Sequence, residues 1–151
     1  VSRGGSPGGS ARDGRTMRGP TQPSAMQFTQ VILDTGEDGR ARFREQVISL
    51  LEGTPEARLS TLMPCGGLQL RMSPVGFRSA FHCTQTPQWL FVLSGAMEIG
   101  LQDGSKRVFG PGQHFFSADT VPPGVAFVPW VHGLCIRQLG DEALVTAFVK
   151  A

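Results

Sequence analysis

His82, Thr84 and Gln88 are the side chains in this sequence whose types and spacing invite chemistry. They lie in FRSAFHCTQTPQWLFVLSG, residues 77–95, which reads as a strand over 77–83, a Thr/Gln/Pro corner over 84–87 and an apolar strand over 88–93 closed by Ser94 and Gly95. Because side chains alternate across a strand, His82 and Thr84 fall on one face and Phe81 and Cys83 on the other. An imidazole titrates near neutral pH and also ligates metals, so His82 can serve as acid, base or ligand. Gln88 adds an amide that both donates and accepts hydrogen bonds. His132 would complete a general acid and base pair with His82 if a substrate lay between the two rings. No paired carboxylates, Ser-His-Asp or Cys-His constellation and no phosphate-binding loop competes with this arrangement.

A metal is a weaker use of the same residues. His82 offers one good nitrogen, Thr84 and Gln88 offer neutral oxygens, and no thiolate or carboxylate stands beside them to offset a divalent charge. Were an ion of Fe, Mn, Ni or Zn held here, its ligands would be His82, Gln88 and His132. His132 stands two residues before Leu134, and two residues along a strand displace a side chain by roughly 6 to 7 Å. A metal–nitrogen bond is only about 2.1 Å long, so His132 joins His82 only if Gly133 marks a bulge or the register slips. What remains is a cavity with Arg78, Ala80, His82 and Thr84 on one wall, Gln88, Leu90 and Val92 on the next, and His132 and Leu134 opposite. Such a mostly apolar pocket with a few polar groups is the general form of a small-molecule site. Arg78 either pairs an anionic ligand or stands at the rim. Cys83 and Cys135 alternate away from the cavity face and read as packing residues, while Trp89, Phe91, Phe115, Phe116 and Trp130 read as core or subunit-contact aromatics.

The elements that must position these residues are short strands. Charged residues make up only 17% of the 151 residues while Gly (20) and Pro (11) are abundant, which favours many strands joined by turns over helices. Apolar and β-branched runs occur at 28–33, 41–51, 59–63, 68–72, 77–83, 88–93, 96–102, 106–109, 113–118, 131–139 and 143–149, divided by Gly/Pro/Asp turns. A helix competes for 43–51, because Phe43, Val47, Leu50 and Leu51 also satisfy helical spacing, but the flanking Asp38-Gly39 and Gly53-Thr54-Pro55 favour a strand. This pattern predicts an all-β sandwich or barrel.

His-x-Thr, three residues, Gln, six residues and Gly, at 82–95, resembles the first cupin motif, usually His-x-His, three to four residues, Glu, six residues and Gly. His82 stands where the first metal-binding His stands, and Thr84 and Gln88 replace two further ligands. The likeness extends over about 60–151 and includes Trp89 to Gly95, the Asp103-Gly104 turn and Phe109-Gly-Pro-Gly112, with Leu134 at the place of the last cupin His. The resemblance implies a cupin-type double-stranded β-helix, a jelly-roll barrel, with a degenerate metal site, and it implies a homodimer, because similar cupins commonly pair.

Residues 26–151 read as one such domain. Residues 1–25 hold four Arg against one Asp in a Gly/Pro/Ser-rich context without apolar periodicity, so they read as a disordered basic extension, with Met26 a plausible natural start. Subtracting that +3 from the formal net charge of +2 leaves −1 on residues 26–151, so no nucleic-acid footprint is expected. No apolar run approaches the ~18 residues of a membrane span, and no apolar core follows the N-terminal charges as in a signal peptide. Three cysteines without a CxxC pair suit reduced thiols of a cytoplasmic protein. Three classes of function stay open: a small-molecule binder, an enzyme (a metal-dependent oxygenase or isomerase, or a metal-free acid/base isomerase or lyase), and a structural module that pairs through its barrel.

Overall fold

A computed structural model describes residues 26–151; the extension expected over 1–25 lies outside them. The described residues contain no helix and eleven strands: β1 (Gln27–Thr35), β2 (Ala41–Ser49), β3 (Glu52–Thr54), β4 (Ala57–Leu59), β5 (Gly67–Ser73), β6 (Gln88–Ser94), β7 (Ala96–Gly100), β8 (Lys106–Phe109), β9 (His114–Ser117), β10 (Cys135–Leu139) and β11 (Leu144–Lys150). The helical alternative for 43–51 loses because β2 pairs residue for residue with β1, from Gln27↔Ser49 to Thr35↔Ala41. That antiparallel register puts Leu33 opposite Phe43 on the inner face, so the period of two is rewarded by burial.

Six strands form one sheet in the order β2-β1-β9-β6-β11-β5, and three form another in the order β10-β7-β8. From β6 onward the chain alternates between them: β7 and β8 lie in the small sheet, β9 returns to the large one, β10 lies in the small one and β11 closes in the large one. Two sheets wound in this order are the jelly-roll, or double-stranded β-helix, arrangement. Leu33, Leu90, Val92, Ile99, Phe109 and Phe115 fill the space between the sheets. Gly95 makes the step from one sheet to the other possible: it has φ 74°, and a Cβ there would lie 2.6 Å from the Ala143 carbonyl oxygen.

The structure corrects the sequence reading at two strands. Residues 77–83 do not form a regular strand; they touch β10 and its approach through isolated bridges, Arg78↔Arg137 and His82↔Leu134. The run at 59–63 ends at Leu59, as the last residue of the small β3–β4 hairpin. In both places the chain lacks a neighbouring strand that continues the ladder, and apolar composition alone does not supply one.

Strand β5, at one edge of the large sheet, is inverted relative to a simple amphipathic pattern. Gln69 lies opposite Phe148 and Arg71 opposite Thr146, so these polar side chains face the barrel interior, where Thr146 is buried. Leu68, Leu70 and Met72 point to the outer face and are 64–71% exposed. The packed region lies further into the barrel, around Ile99, whose side chain is fully buried. Ile99→Ala is expected to cost about 2–5 kcal/mol, read from denaturant unfolding monitored by Trp fluorescence; a loss below about 1 kcal/mol would contradict a close-packed interior there.

Candidate functional site

A cavity of about 600 Å³ opens between β5, β6, β11 and residues 82–86. Apolar walls come from Leu90, Phe115, Leu134, Ile136 and Phe148, and polar groups from His82, Thr84, Gln88 and Ser117. The residue types follow from register: Leu90 and Phe148 oppose each other on the inner face, as do Gln88 and Ser117 at its end.

His82 is held by its backbone. Its N–H donates to the Leu134 carbonyl at 2.9 Å, and the Leu134 N–H donates back to the His82 carbonyl at 2.9 Å. Its Nδ1 lies 2.9 Å from the Ala80 carbonyl, which can only accept, so Nδ1 carries the proton and Nε2 is the free nitrogen of a ring that lines the cavity. Thr84 is tied down by a short hydrogen bond between its hydroxyl and that of Ser117, and its N–H donates to the Asp119 carbonyl at 2.8 Å. The structure therefore brings His82, Thr84 and Gln88 onto one cavity, as their spacing suggested.

It does not bring His132 there. His132 is buried, its Nδ1 accepts the Val128 N–H at 2.9 Å, and its ring faces Gly39, at which an added Cβ would lie 3.2 Å from Nε2. The strand expected over 131–139 begins only at Cys135: the Val131 and His132 N–H groups both donate to the Val128 carbonyl in a turn, and Gly133, at φ 87°, leads from that turn to Leu134, so Leu134 lines the cavity while His132 lies against the β1–β2 turn. Arg78 is displaced as well, lining a separate depression of about 170 Å³ with Glu98 and Arg137. Cys83, expected to face away, borders the main cavity.

Four side chains of consequence escaped the sequence reading. Arg71 and Lys150 line the cavity, and the alternation of Leu68, Leu70 and Met72 with Gln69 and Arg71 was the signal, once it is known which face is inside. Asp119 is 1% exposed; the Thr35 hydroxyl donates to its Oδ1 at 2.7 Å, and its Oδ2 has no partner among the described residues. Burial pushes this carboxyl above the usual range, although hydrogen bonds from Thr35 and Cys83 draw it partly back. The neighbouring Cys83 thiol is pushed up to about 11 by burial first and by the Asp119 charge second, which makes it a poor nucleophile. His114 sits outside the barrel among Phe28, Trp89 and Phe91, where burial and then Arg107 hold its pKa below the ordinary value.

Among the described residues no three His, Cys, Asp or Glu side chains stand close enough to hold a metal ion. The donors that do surround His82 are neutral, and Thr84 is already engaged with Ser117, so the residues present do not fit the metal centre that a cupin resemblance implies. The fold and site define an all-β jelly-roll barrel with an interior cavity. No family model matches the chain, and no curated protein matches it in sequence. Among solved structures it is similar to the cupin domain of Schizosaccharomyces pombe Cnp3, with 15% identity over 83% of each chain and a TM-score of 0.42.

The raised pKa of Asp119 has a definite sign in stability. The folded state holds the proton more tightly than the unfolded chain, whose carboxyl titrates near 3.8, so ionisation opposes folding as pH rises through the window between the two values. Asp119→Asn removes this penalty. Its melting temperature is expected to gain on that of the unaltered protein as pH rises above about 4; parallel melting profiles would show that the carboxyl is not perturbed.

Proposed function

We propose that this chain is a small cupin-like protein that binds a small organic molecule in its barrel cavity, at a site whose metal-ligand positions have been replaced by Thr84, Gln88 and Leu134. The observation that carries the reading is the cavity itself: about 600 Å³, within the roughly 300–1,000 Å³ of typical ligand sites, with an apolar patch of Leu90, Phe115, Leu134, Ile136 and Phe148 and polar or charged side chains around it. Binding is favoured over acid/base catalysis by His82 and His132, because the His132 ring lies away from the cavity and leaves His82 without a titrating imidazole across from it. The His82 Nε2 then acts as an acceptor that orients a ligand hydroxyl or amide. In calorimetric titration with 2-naphthol, His82→Ala is expected to weaken binding by about ten-fold or more, roughly 1.4 kcal/mol, with melting unchanged. Undiminished affinity, or a large drop in melting temperature, would assign His82 to the scaffold instead.

A second reading, self-association, is favoured by a separate observation. The outer face of the large sheet is apolar over its β5, β11, β6 and β9 strands: Leu68, Leu70 and Met72 on β5, Val145 and Val149 on β11, Trp89 and Phe91 on β6, and Phe116 on β9, with Phe28 beside them, before it turns polar at Arg42 and Arg44 on β2. Four strands about 4.8 Å apart and about 20 Å long present a flat face of roughly 400 Å², which side-chain relief raises toward the ~800 Å² per partner of a stable interface. Residues 26–151 carry 10 basic and 11 acidic side chains, so two copies meet without strong repulsion. The occupant of this face is a second copy of the chain, making the protein a homodimer. Sedimentation of the unaltered protein is expected to give twice 16.2 kDa, and Leu70→Glu to give the monomer; a monomeric unaltered protein would refute this reading.

A further inference from the structure

We infer that the cavity takes a small organic carboxylate, its anionic end on the Arg71 guanidinium and its apolar body against Leu90, Leu134 and Phe148; this rests on the small-molecule reading of the cavity. The inference starts from charge. The cavity is lined by two cations, Arg71 and Lys150, and by no Asp or Glu. Neither cation makes an ion pair among the described residues, where Arg42, Arg44, Lys106, Arg107 and Arg137 do and Arg40, Arg58 and Arg78 do not, so both are free to meet an anion. Residues 26–151 are close to neutral, with 10 basic and 11 acidic side chains, so this positive cavity mouth, where Arg71 is exposed and Lys150 half-exposed, is local and does not reflect a generally basic domain.

Geometry points the same way. Arg71 sits on the inner face of β5, opposite Thr146, where a simple amphipathic strand would place an apolar side chain. Its guanidinium lies over the Phe77 ring at 5.0 Å from the centroid, which restrains the planar fork and leaves its N–H edge available. A guanidinium in that position recognises a carboxylate with two parallel hydrogen bonds, a match that a lysine ammonium does not reproduce. Lys150 lies four residues further along β11 than Thr146, about 13 Å away by strand rise, so it adds attraction at the opposite end without sharing the same anion closely. Leu90, Leu134 and Phe148 form the apolar part of the wall and take the ligand's hydrocarbon or aromatic body, while Gln69, Thr84, Gln85 and Gln88 offer hydrogen-bonding groups around it.

The test uses the full chain and an isosteric pair of probes, 2-naphthoate and the neutral 2-naphthamide, titrated calorimetrically at low and high salt. The unaltered protein is expected to bind the carboxylate about ten-fold or more tightly than the amide, with the preference shrinking as salt rises. Arg71→Gln should erase the preference, with the amide still binding and the melting temperature unchanged to show that the cavity has survived the substitution. Arg71→Lys should restore only part of it. Equal affinity for the two probes in the unaltered protein, or a preference that persists in Arg71→Gln, would overturn the carboxylate assignment while leaving the cavity as a small-molecule site. Failure of both probes to bind would overturn the cavity reading along with it.

Discussion

The reciprocal pair of backbone hydrogen bonds between His82 and Leu134 is the contact on which the site depends. Residues 77–83 have too few ladder partners to be held as a strand, so this pair, the bridge between Arg78 and Arg137 and the Ile136 N–H donated to the Ser79 hydroxyl at 2.8 Å keep the segment against β10. The approach is close enough that only glycine serves at 133: a Cβ there would lie 2.5 Å from the His82 carbonyl oxygen, and φ is 87°. That glycine lets His82 seat against the barrel, and it leads to Leu134 out of the turn over 128–132 that holds His132 away from the cavity.

The interior of the barrel is consequently divided. Deeper in, Leu33, Val92, Met97 and Ile99 interlock with Phe109 and Phe115, and their burial supplies the hydrophobic stabilisation. Toward β5 the chain leaves space unfilled and lines part of it with polar and cationic groups, which no packing requirement explains. A cavity of this size forgoes dispersion contacts that larger side chains would have made. Its retention beside unpaired Arg71 is what separates a site from loose packing.

The outer face of the same sheet carries the complementary departure. Trp89 and Phe91 stack with planes 3° apart, and Phe116 meets Trp89 edge to face, so aromatic surface accumulates where a solvated sheet would alternate with polar residues. His114 lies within that aromatic surface with its Nε2 accepting the Val31 N–H at 3.2 Å, so the neutral ring is the one that fits. The two faces of β5 and β6 therefore differ: the inner one shapes a cavity, and the outer one exposes apolar and aromatic surface.

Much of the fold was legible beforehand. Turn residues and apolar alternation placed β1, β2 and β6 to β9 within a residue or two, because short strands bounded by Gly, Pro and Asp are written locally. His82, Thr84 and Gln88 do share one cavity, but not through the alternation expected of a strand over 77–83: residues 82–86 line it one after another, Cys83 included. What the sequence could not decide was where alternation stops. The run 131–139 becomes strand only at Cys135, and the turn over 128–132 carries His132 away from Leu134, its equivalent by counting. Nor does a linear pattern say which face of an edge strand is inside: Leu68, Leu70 and Met72 look like core until the pairing of β5 with β11 sends them outward and brings Arg71 in. Periodicity is a property of neighbouring residues, whereas inside and outside are properties of the closed sheet, so only the tertiary structure assigns them.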